Sequence, residues 1–489
     1  MTPAATIIAA LVVPLIGAVL IAAAHRAPNA RETVTLVTAA LLFLLVVSLT
    51  PAVLAGGRPG VTLLAVMPGL ALKFEVEPLG MLFGLIASGL WIVNSLYSIG
   101  YMRGNNEAHQ TRYYVCFAGA LASAMGIAFA GNLLTLFLFY EALTLITYPL
   151  VTHHGTPEAM RAGRLYLGLL VGSSIVFLLF AIIWTWQTTG TIDFVQGGIL
   201  GGKVTNAATG VLLALYVFGI GKAAVMPVHR WLPAAMVAPT PVSALLHAVA
   251  VVKAGVFSVL KIVVYVFGVD AIAGVASVDW LPFAAGFTII AASIVALRSD
   301  NLKRRLAYST VSQLSYVVLA AALLTPWSIV GAALHIATHA LGKITLFFAA
   351  GAIYTAAHKT EVSQLDGIGR RMPWTMSAFA IGSLSIIGLP PAVGFVSKWY
   401  ILSGAMATGQ WGAVAVLVAG TLLSAGYLLP IVYRAFFLSP AHAGGHHEAH
   451  GEAPLTMVVA LSASAFGTVA LFFYPEALLA LSRQLAGVG

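Results

Sequence analysis

Charge is what this sequence lacks. Of 489 residues only 8% are Asp, Glu, Lys or Arg, against about 25% in a soluble domain, while 60% are apolar and the mean hydropathy is +0.98. So few charges cannot clothe a water-soluble surface of this size, which excludes soluble enzyme folds and disorder alike. Cysteine is nearly missing too. Cys116 stands alone, so neither an intramolecular disulfide nor a cysteine metal cluster is available. Long basic runs are absent as well: the 24 Lys and Arg are scattered singly or in twos and threes, so the net charge of +9 is no sign of a nucleic-acid partner. Flavin, iron–sulfur and haem motifs are missing, and no cofactor or metal is expected in this chain.

Long apolar runs are what is there. Crossing the hydrocarbon core takes roughly 20 apolar residues as a helix, and barrel strands would instead alternate over about ten. Fourteen stretches qualify: 3–24, 33–55, 78–101, 112–130, 132–152, 164–187, 208–236, 240–267, 280–297, 305–325, 328–357, 374–404, 411–436 and 455–482. The sequence therefore predicts an all-α polytopic membrane protein. The first stretch has neither a basic start nor a cleavage site and reads as a span rather than a signal peptide. Loops after odd-numbered spans hold 15 Lys and Arg, and loops after even-numbered spans hold three, Arg58, Lys73 and Lys203. By the positive-inside rule the odd loops are cytoplasmic and both termini lie on the other side, as in a bacterial-type inner membrane.

Six charges remain inside spans: Glu141, Lys222, Lys253, Lys261, Lys343 and Lys398. A charge at mid-membrane costs about 2.5–3.5 kcal/mol on insertion scales, so such residues face a protein interior or a water path. Glu141 is read as a proton acceptor or as the carboxylate that sets a lysine's charge, with a structural ion pair as the bland alternative. Lys222 sits in Gly219-Ile-Gly-Lys-Ala-Ala-Val-Met-Pro227, ahead of Pro233, Pro239 and Pro241, a density of proline that breaks a helix. Broken helices at membrane depth are tolerated where they line a cavity, and there a desolvated lysine can exchange protons near neutrality. Lys398 follows Gly388-Leu-Pro-Pro391 in the same manner. Two interrupted spans, the seventh and the twelfth, each with one lysine, point to two five-helix repeats, spans 4–8 and 9–13, in opposite topology. The chain then divides into residues 1–110 (spans 1–3), 111–267 (first repeat), 268–436 (second repeat) and 437–489.

Span 11 places His335, His339 and Lys343 at i, i+4 and i+8, one helix face over about 12 Å. Histidine both accepts and donates at physiological pH, so the row suits a proton relay. Metal ligation is the lesser reading for want of a third good ligand. Lys253 in span 8 is the candidate link between Glu141–Lys222 and this row. His247 and His229 are secondary candidates, and Lys261, near the outer end of its span, is expected to snorkel to the interface. The tract His442, His446, His447, Glu448, His450 and Glu452 reads as a solvated linker before it reads as a metal site.

The string Lys222-Ala-Ala-Val-Met-Pro-Val-His-Arg-Trp-Leu-Pro233 through Ala238-Pro-Thr-Pro-Val-Ser-Ala-Leu-Leu-His247 resembles the antiporter-like, proton-translocating subunits shared by respiratory complex I, Mrp-type cation/proton antiporters and membrane-bound hydrogenases. Tyr140-Glu141-Ala-Leu-Thr144, Lys303-Arg-Arg-Leu-Ala-Tyr-Ser-Thr310, the span 11 row and Gly388–Lys398 extend the resemblance over spans 5 to 12. It implies a fourteen-span subunit with two inverted repeats, other membrane subunits as partners, and protons, with Na⁺ as a candidate counter-ion, as cargo. It also implies that Glu141 and Lys222 form the uptake-side pair, that Lys253 and the row connect the halves, and that Lys398 is the exit lysine. Length and the short C-terminus look most like the D-type component of multisubunit Mrp Na⁺/H⁺ antiporters. A redox-driven membrane arm, with its chemistry on partner subunits, is the alternative. The family commonly has an acid after Trp-Leu-Pro; this chain has Ala234 and Ala235.

Overall fold

In lipid every backbone N–H and C=O must be satisfied within the chain, so each apolar stretch folds as a helix. The computed structural model describes residues 1–67, 69–439 and 451–488, and helices occupy all fourteen expected places. Ten are long and apolar enough to cross a membrane by those two properties alone. The other four crossings are span 4 (Gln110–Ala128), span 10 (Leu302–Ala322) and the two broken spans. Span 7 runs Asn206–Gly219, unwinds through Lys222 and Pro227, and resumes as short turns at Val228–Arg230 and Trp231–Ala234. Span 12 is Pro373–Ile387 and Gly394–Ala407 around a break at Gly388. Gly388 has φ +90°, and a Cβ there would lie 2.6 Å from Cδ of Lys398, so backbone and neighbour both demand glycine.

The loops gather on two faces. On one, Glu107 after span 3 meets His153 after span 5, Lys303 at the start of span 10 donates to Ala238 O after span 7, and Asn301 bonds Glu361 after span 11. On the other, Lys73 after span 2 pairs with Asp193 after span 6 at 3.0 Å, and Gln410 after span 12 donates to Leu323 O after span 10. The last helix, Glu476–Ala486, reaches this second face, where Gln196 after span 6 donates to Leu485 O. Spans 8 (Thr240–Phe267) and 11 (Pro326–Ala357) are wholly enclosed by the others, whereas spans 1, 2, 6, 13 and 14 bury 33–39% of their apolar windows. The two most enclosed helices are thus the two that carry Lys253 and the His335–His339–Lys343 row.

Four features depart from the sequence reading. The connector after span 2 forms an antiparallel hairpin, β1 (Gly60–Met67) and β2 (Leu70–Glu75). Span 2 starts at Pro28, which takes Arg31 and Glu32 into the helix; Arg31 bonds Gln110 and Thr111, and Glu32 pairs with Arg103. Span 14 ends at Phe473, and a separate helix, Glu476–Ala486, packs on spans 3 and 11, with Gln484 donating to Leu54 O at 2.7 Å. Lys261 does not snorkel. It is fully buried and bonded to Glu77 at 3.1 Å and to Ala130 O at 2.8 Å, because an internal carboxylate caps the N-terminus of span 3 within its reach.

Candidate functional site

The break in span 7 is built around Lys222. Unwinding after Gly219 turns the side chain toward span 5 (Leu133–Val151), where Nζ donates to Tyr140 O at 2.7 Å and to Thr144 Oγ1 at 2.6 Å. The ammonium lies 3.1 Å from the centroid of the Tyr140 ring, and the Tyr140 hydroxyl accepts from the Lys222 backbone N–H at 3.0 Å. Trp231, from the resumed half of the span, donates Nε1–H to Gly221 O at 3.0 Å and ties the break shut. Span 8 backs directly onto it: a Cβ at Gly255 would collide with the Lys222 carbonyl and the Ala223 amide. Glu141 does not contact Lys222. No ion pair to Glu141 is found among the described residues, its Oε1 is buried without a hydrogen-bond partner, and its charge reaches Lys222 through space. The backbone carbonyl one residue earlier occupies the place a contact pair would need.

The centre joins spans 8, 10, 11 and 12. Lys253 Nζ of span 8 makes a short hydrogen bond with His339 Nδ1 of the row. His339 stacks on His335, ring centroids 6.0 Å apart and planes at 22°. His335 Nδ1 meets Ser397 Oγ of span 12 at 2.9 Å, and Thr338 meets the same hydroxyl at 2.9 Å. Lys343 leaves this line and turns to span 10, donating to Leu306 O at 3.1 Å and Ser309 Oγ at 2.7 Å. The expected straight row is therefore a fork. A single helix face presents three groups, and neighbouring helices divide them.

Beyond Lys343 the polar chain continues through neutral residues: Ser309 to the Tyr427 hydroxyl at 2.9 Å, Tyr427 to Ser424 at 3.1 Å, and Gln313 to Ser424 at 3.4 Å. At the other end Lys398 Nζ donates to Ile386 O and Ile387 O, both at 2.9 Å, the carbonyls freed by the break in span 12. It lies 4.6 Å from the Tyr316 ring, which also stacks on His335 at 5.7 Å. Tyr140, Thr144, Ser309, Tyr316, Ser397 and Tyr427 were not singled out by charge. The spacing Ser309, Gln313, Tyr316 on one face of span 10 was the available signal.

Of the secondary candidates, His247 is fully buried, lies tilted against the Phe347 ring with centroids 4.7 Å apart, and has neither ring nitrogen bonded. His229 stands apart from the row, half-buried, 6.2 Å from the Tyr308 ring. His442, His446, His447, Glu448 and His450 lie outside the described residues; Glu452 accepts from Trp374 N at 2.7 Å and from Thr375 Oγ1 at 2.6 Å, capping the start of span 12.

Known proteins resemble this chain in sequence and in fold. The profile described as NADH:quinone oxidoreductase/Mrp antiporter, TM, matches residues 130–424. NADH-quinone oxidoreductase subunit N of Desulforudis audaxviator is 31% identical over 433 residues, covering 86% of this chain and 85% of that one. Hydrogenase-4 component B of Escherichia coli is 30% identical, covering 80% of this chain and 60% of that one. The probable K(+)/H(+) antiporter A/B protein of Rhizobium meliloti is 29% identical, over 82% of this chain and 40% of that one. The fold is that of a chain in the Mrp complex from Dietzia sp. DQ12-45-1b, with a TM-score of 0.87 at 24% identity, covering 100% of this chain and 97% of that one. It is equally that of a chain in the membrane-bound sulfane sulfur reductase, an archaeal respiratory complex, with a TM-score of 0.86 at 23% identity, over 98% and 97%. This multi-pass membrane protein, with its buried axis of lysine and histidine, belongs to the NADH:quinone oxidoreductase/Mrp antiporter transmembrane family.

Proposed function

We propose that the chain moves protons from Lys222 past Lys253 and the forked group His339, His335 and Lys343 to Lys398, as one subunit of a multisubunit monovalent cation/proton antiporter with Na⁺ as the counter-ion. The observation that carries this is the Lys253–His339 hydrogen bond between two wholly enclosed spans. Either atom can hold the shared proton, and a structural contact at that depth would be met more cheaply by apolar packing. Glu141 biases Lys222 electrostatically rather than by contact. The face bearing Lys303 and Glu107 is the cytoplasmic one, both termini lie opposite, and spans 4–8 (111–267) and 9–13 (268–436) act as inverted repeats. The Dietzia Mrp complex and the R. meliloti antiporter protein favour this reading, with the D-type component as the place this chain would fill.

A second reading, a proton-pumping arm driven by redox chemistry on partner subunits, is favoured by the subunit N relative, which the chain matches over 85% of its length. Replacing Lys222 or Glu141 by Ala should abolish cation/proton exchange in everted vesicles with assembly intact. Full exchange in both variants refutes the axis; copurification of a quinone- or hydrogen-reacting module in mild detergent selects the second reading.

A further inference from the structure

Away from the lysine and histidine axis, two loops on one face bring together three side chains that transport does not use. Span 5 ends at Val151 and the chain turns at once into span 6, because Gly155 takes φ +65° and Thr156-Pro157 caps and starts the next helix. His153 and His154 stand in that turn, and Glu107 stands opposite, in the loop after span 3. The turn is held: Arg112 of span 4 donates to His153 O at 2.8 Å, and His153 N donates to Leu150 O at 3.3 Å. The Tyr113 ring meets the His153 ring edge-on at 6.4 Å and fixes its plane.

Both imidazoles turn one nitrogen to the same oxygen. His153 Nε2 lies 3.8 Å and His154 Nδ1 3.7 Å from Oε2 of Glu107. The two rings, centroids 5.6 Å apart and planes at 81°, splay around that oxygen instead of stacking. Neither separation is a hydrogen bond, which for N–H···O ends near about 3.2 Å. The His153 side chain is only 1% exposed, yet neither of its ring nitrogens is bonded. A buried imidazole left without a partner is costly and rare. An ion pair with Glu107 does not supply one. Burial first and then the Arg112 charge, against the pull of the Ala108 main chain, hold His153 down to about 4, so its ring is neutral and keeps a lone pair free at physiological pH.

Two neutral imidazoles and a carboxylate are a zinc ligand set, with water in the fourth position. At metal–ligand distances of about 2.0–2.2 Å, two ligands of a tetrahedral ion stand about 3.4 Å apart. Among the described residues no group of three His, Cys, Asp or Glu is already drawn to metal spacing. Here the two nitrogen–oxygen edges, at 3.8 and 3.7 Å, exceed it by about 0.3–0.4 Å. Rotation of Glu107 and His154 closes such a gap, because both stand in turns rather than in helices. His154 is 38% exposed and gives the ion a way in. We propose that Glu107, His153 and His154 bind a zinc-class dication that ties the loop after span 3 to the turn after span 5. Arg112 and Lys303, the cations acting on His153 and Glu107, oppose it, so the ion should be removable by EDTA. The site goes beyond the transport reading and does not rest on it.

The test uses the assembled complex in mild detergent, stripped with EDTA, dialysed against Zn²⁺ and counted for bound zinc by mass spectrometry at equal subunit composition. Wild type should hold one more zinc per chain than His154→Asn or Glu107→Gln. His25→Asn, at an exposed histidine of another loop, should keep the wild-type count. Equal counts in wild type and both site variants overturn the site. If the variants fail to assemble, the wild-type complex answers alone: Zn²⁺ should protect His154, and leave His25 reactive, when histidines are carbethoxylated with diethylpyrocarbonate and mapped by peptide mass. Equal modification of His154 with and without Zn²⁺ overturns the site as well. Neither readout involves exchange, so either result leaves the proton axis to its own test.

Discussion

The buried pair Glu77–Lys261 permits a stringent test of the structure, because the sequence reading and the structure assign Lys261 opposite environments. The side chains are 3% and 0% exposed and meet at 3.1 Å. Removing one partner of such a pair strands a charge, at about 3–5 kcal/mol, whereas replacing both is often near neutral. The Glu77 carboxylate keeps three other donors, Leu79 N at 2.7 Å, Gly80 N at 2.8 Å and the Tyr265 hydroxyl at 2.9 Å. Lys261→Met should therefore fall at the lower end, about 3 kcal/mol. Glu77→Gln leaves Lys261 with Ala130 O and the rings of Phe194 and Phe257, at 4.7 and 5.2 Å, and should cost more. The double variant should recover most of either loss. SDS titration of the purified protein in detergent, followed by tryptophan fluorescence, gives the cycle. A Lys261→Met variant within about 0.5 kcal/mol of wild type, the range of an ordinary surface change, would show a lysine that reaches water and would refute the buried pair.

Gly255→Val forces side-chain carbon into the Lys222 carbonyl and the Ala223 amide; overpacking of this kind costs about 1–3 kcal/mol and displaces the lysine, so exchange should be lost from complexes that still assemble, as read in everted vesicles. His153, in the loop after span 5, is held down to about 4 from its ordinary 6.5 by burial first and then by the Arg112 charge. Between those values the unfolded chain binds a proton that the folded chain refuses, so stability should fall as pH drops from 6.5 toward 4. His153→Gln should flatten that acid limb of the thermal-unfolding profile; an unchanged limb places the titration elsewhere.

The spans were legible because lipid imposes one rule on every crossing, and the breaks were legible because Pro227 and Pro390-Pro391 cannot continue a helix. The charged members of the axis stood out for the same reason: Lys253 and Lys343 are conspicuous against an apolar background. What could not be read was pairing across helices. Glu141 beside Tyr140 suggested a carboxylate for Lys222, yet the turn of span 5 offers the Tyr140 carbonyl and Thr144 instead. Lys261 looked terminal by its distance along span 8, and only the packing of span 3 against that helix brings Glu77 to it. The neutral tyrosines and serines carry no charge to mark them, so their part in the axis emerged only from geometry. The β1–β2 hairpin escaped notice because residues 56–77 carry turn residues between short apolar pieces, a pattern equally suited to a loop.

The two tyrosines bear on the repeat. Spans 5 and 10 occupy equivalent places in the units 4–8 and 9–13, as do spans 7 and 12. Lys222 of span 7 lies over the ring of Tyr140 of span 5, and Lys398 of span 12 lies over the ring of Tyr316 of span 10. An arrangement chosen separately in each half would have no reason to draw the aromatic ring from the matching span, so this correspondence supports the proposed repeat. The halves differ in how tightly they close. At Lys222 the ring is 3.1 Å away and the lysine is fully buried; at Lys398 it is 4.6 Å away, the lysine is half-buried, and a cavity of about 210 Å³ bounded by Phe395, Trp399 and Thr421 adjoins it. The Lys222 site is thus closed by the protein alone, whereas the Lys398 site is partly open beside the exposed Trp399. That asymmetry is the one the proposed uptake at Lys222 and release at Lys398 would use. It also predicts that Tyr140→Leu should impair exchange more than Tyr316→Leu, measured in everted vesicles on complexes of equal assembly; equal impairment would remove the distinction between the two ends.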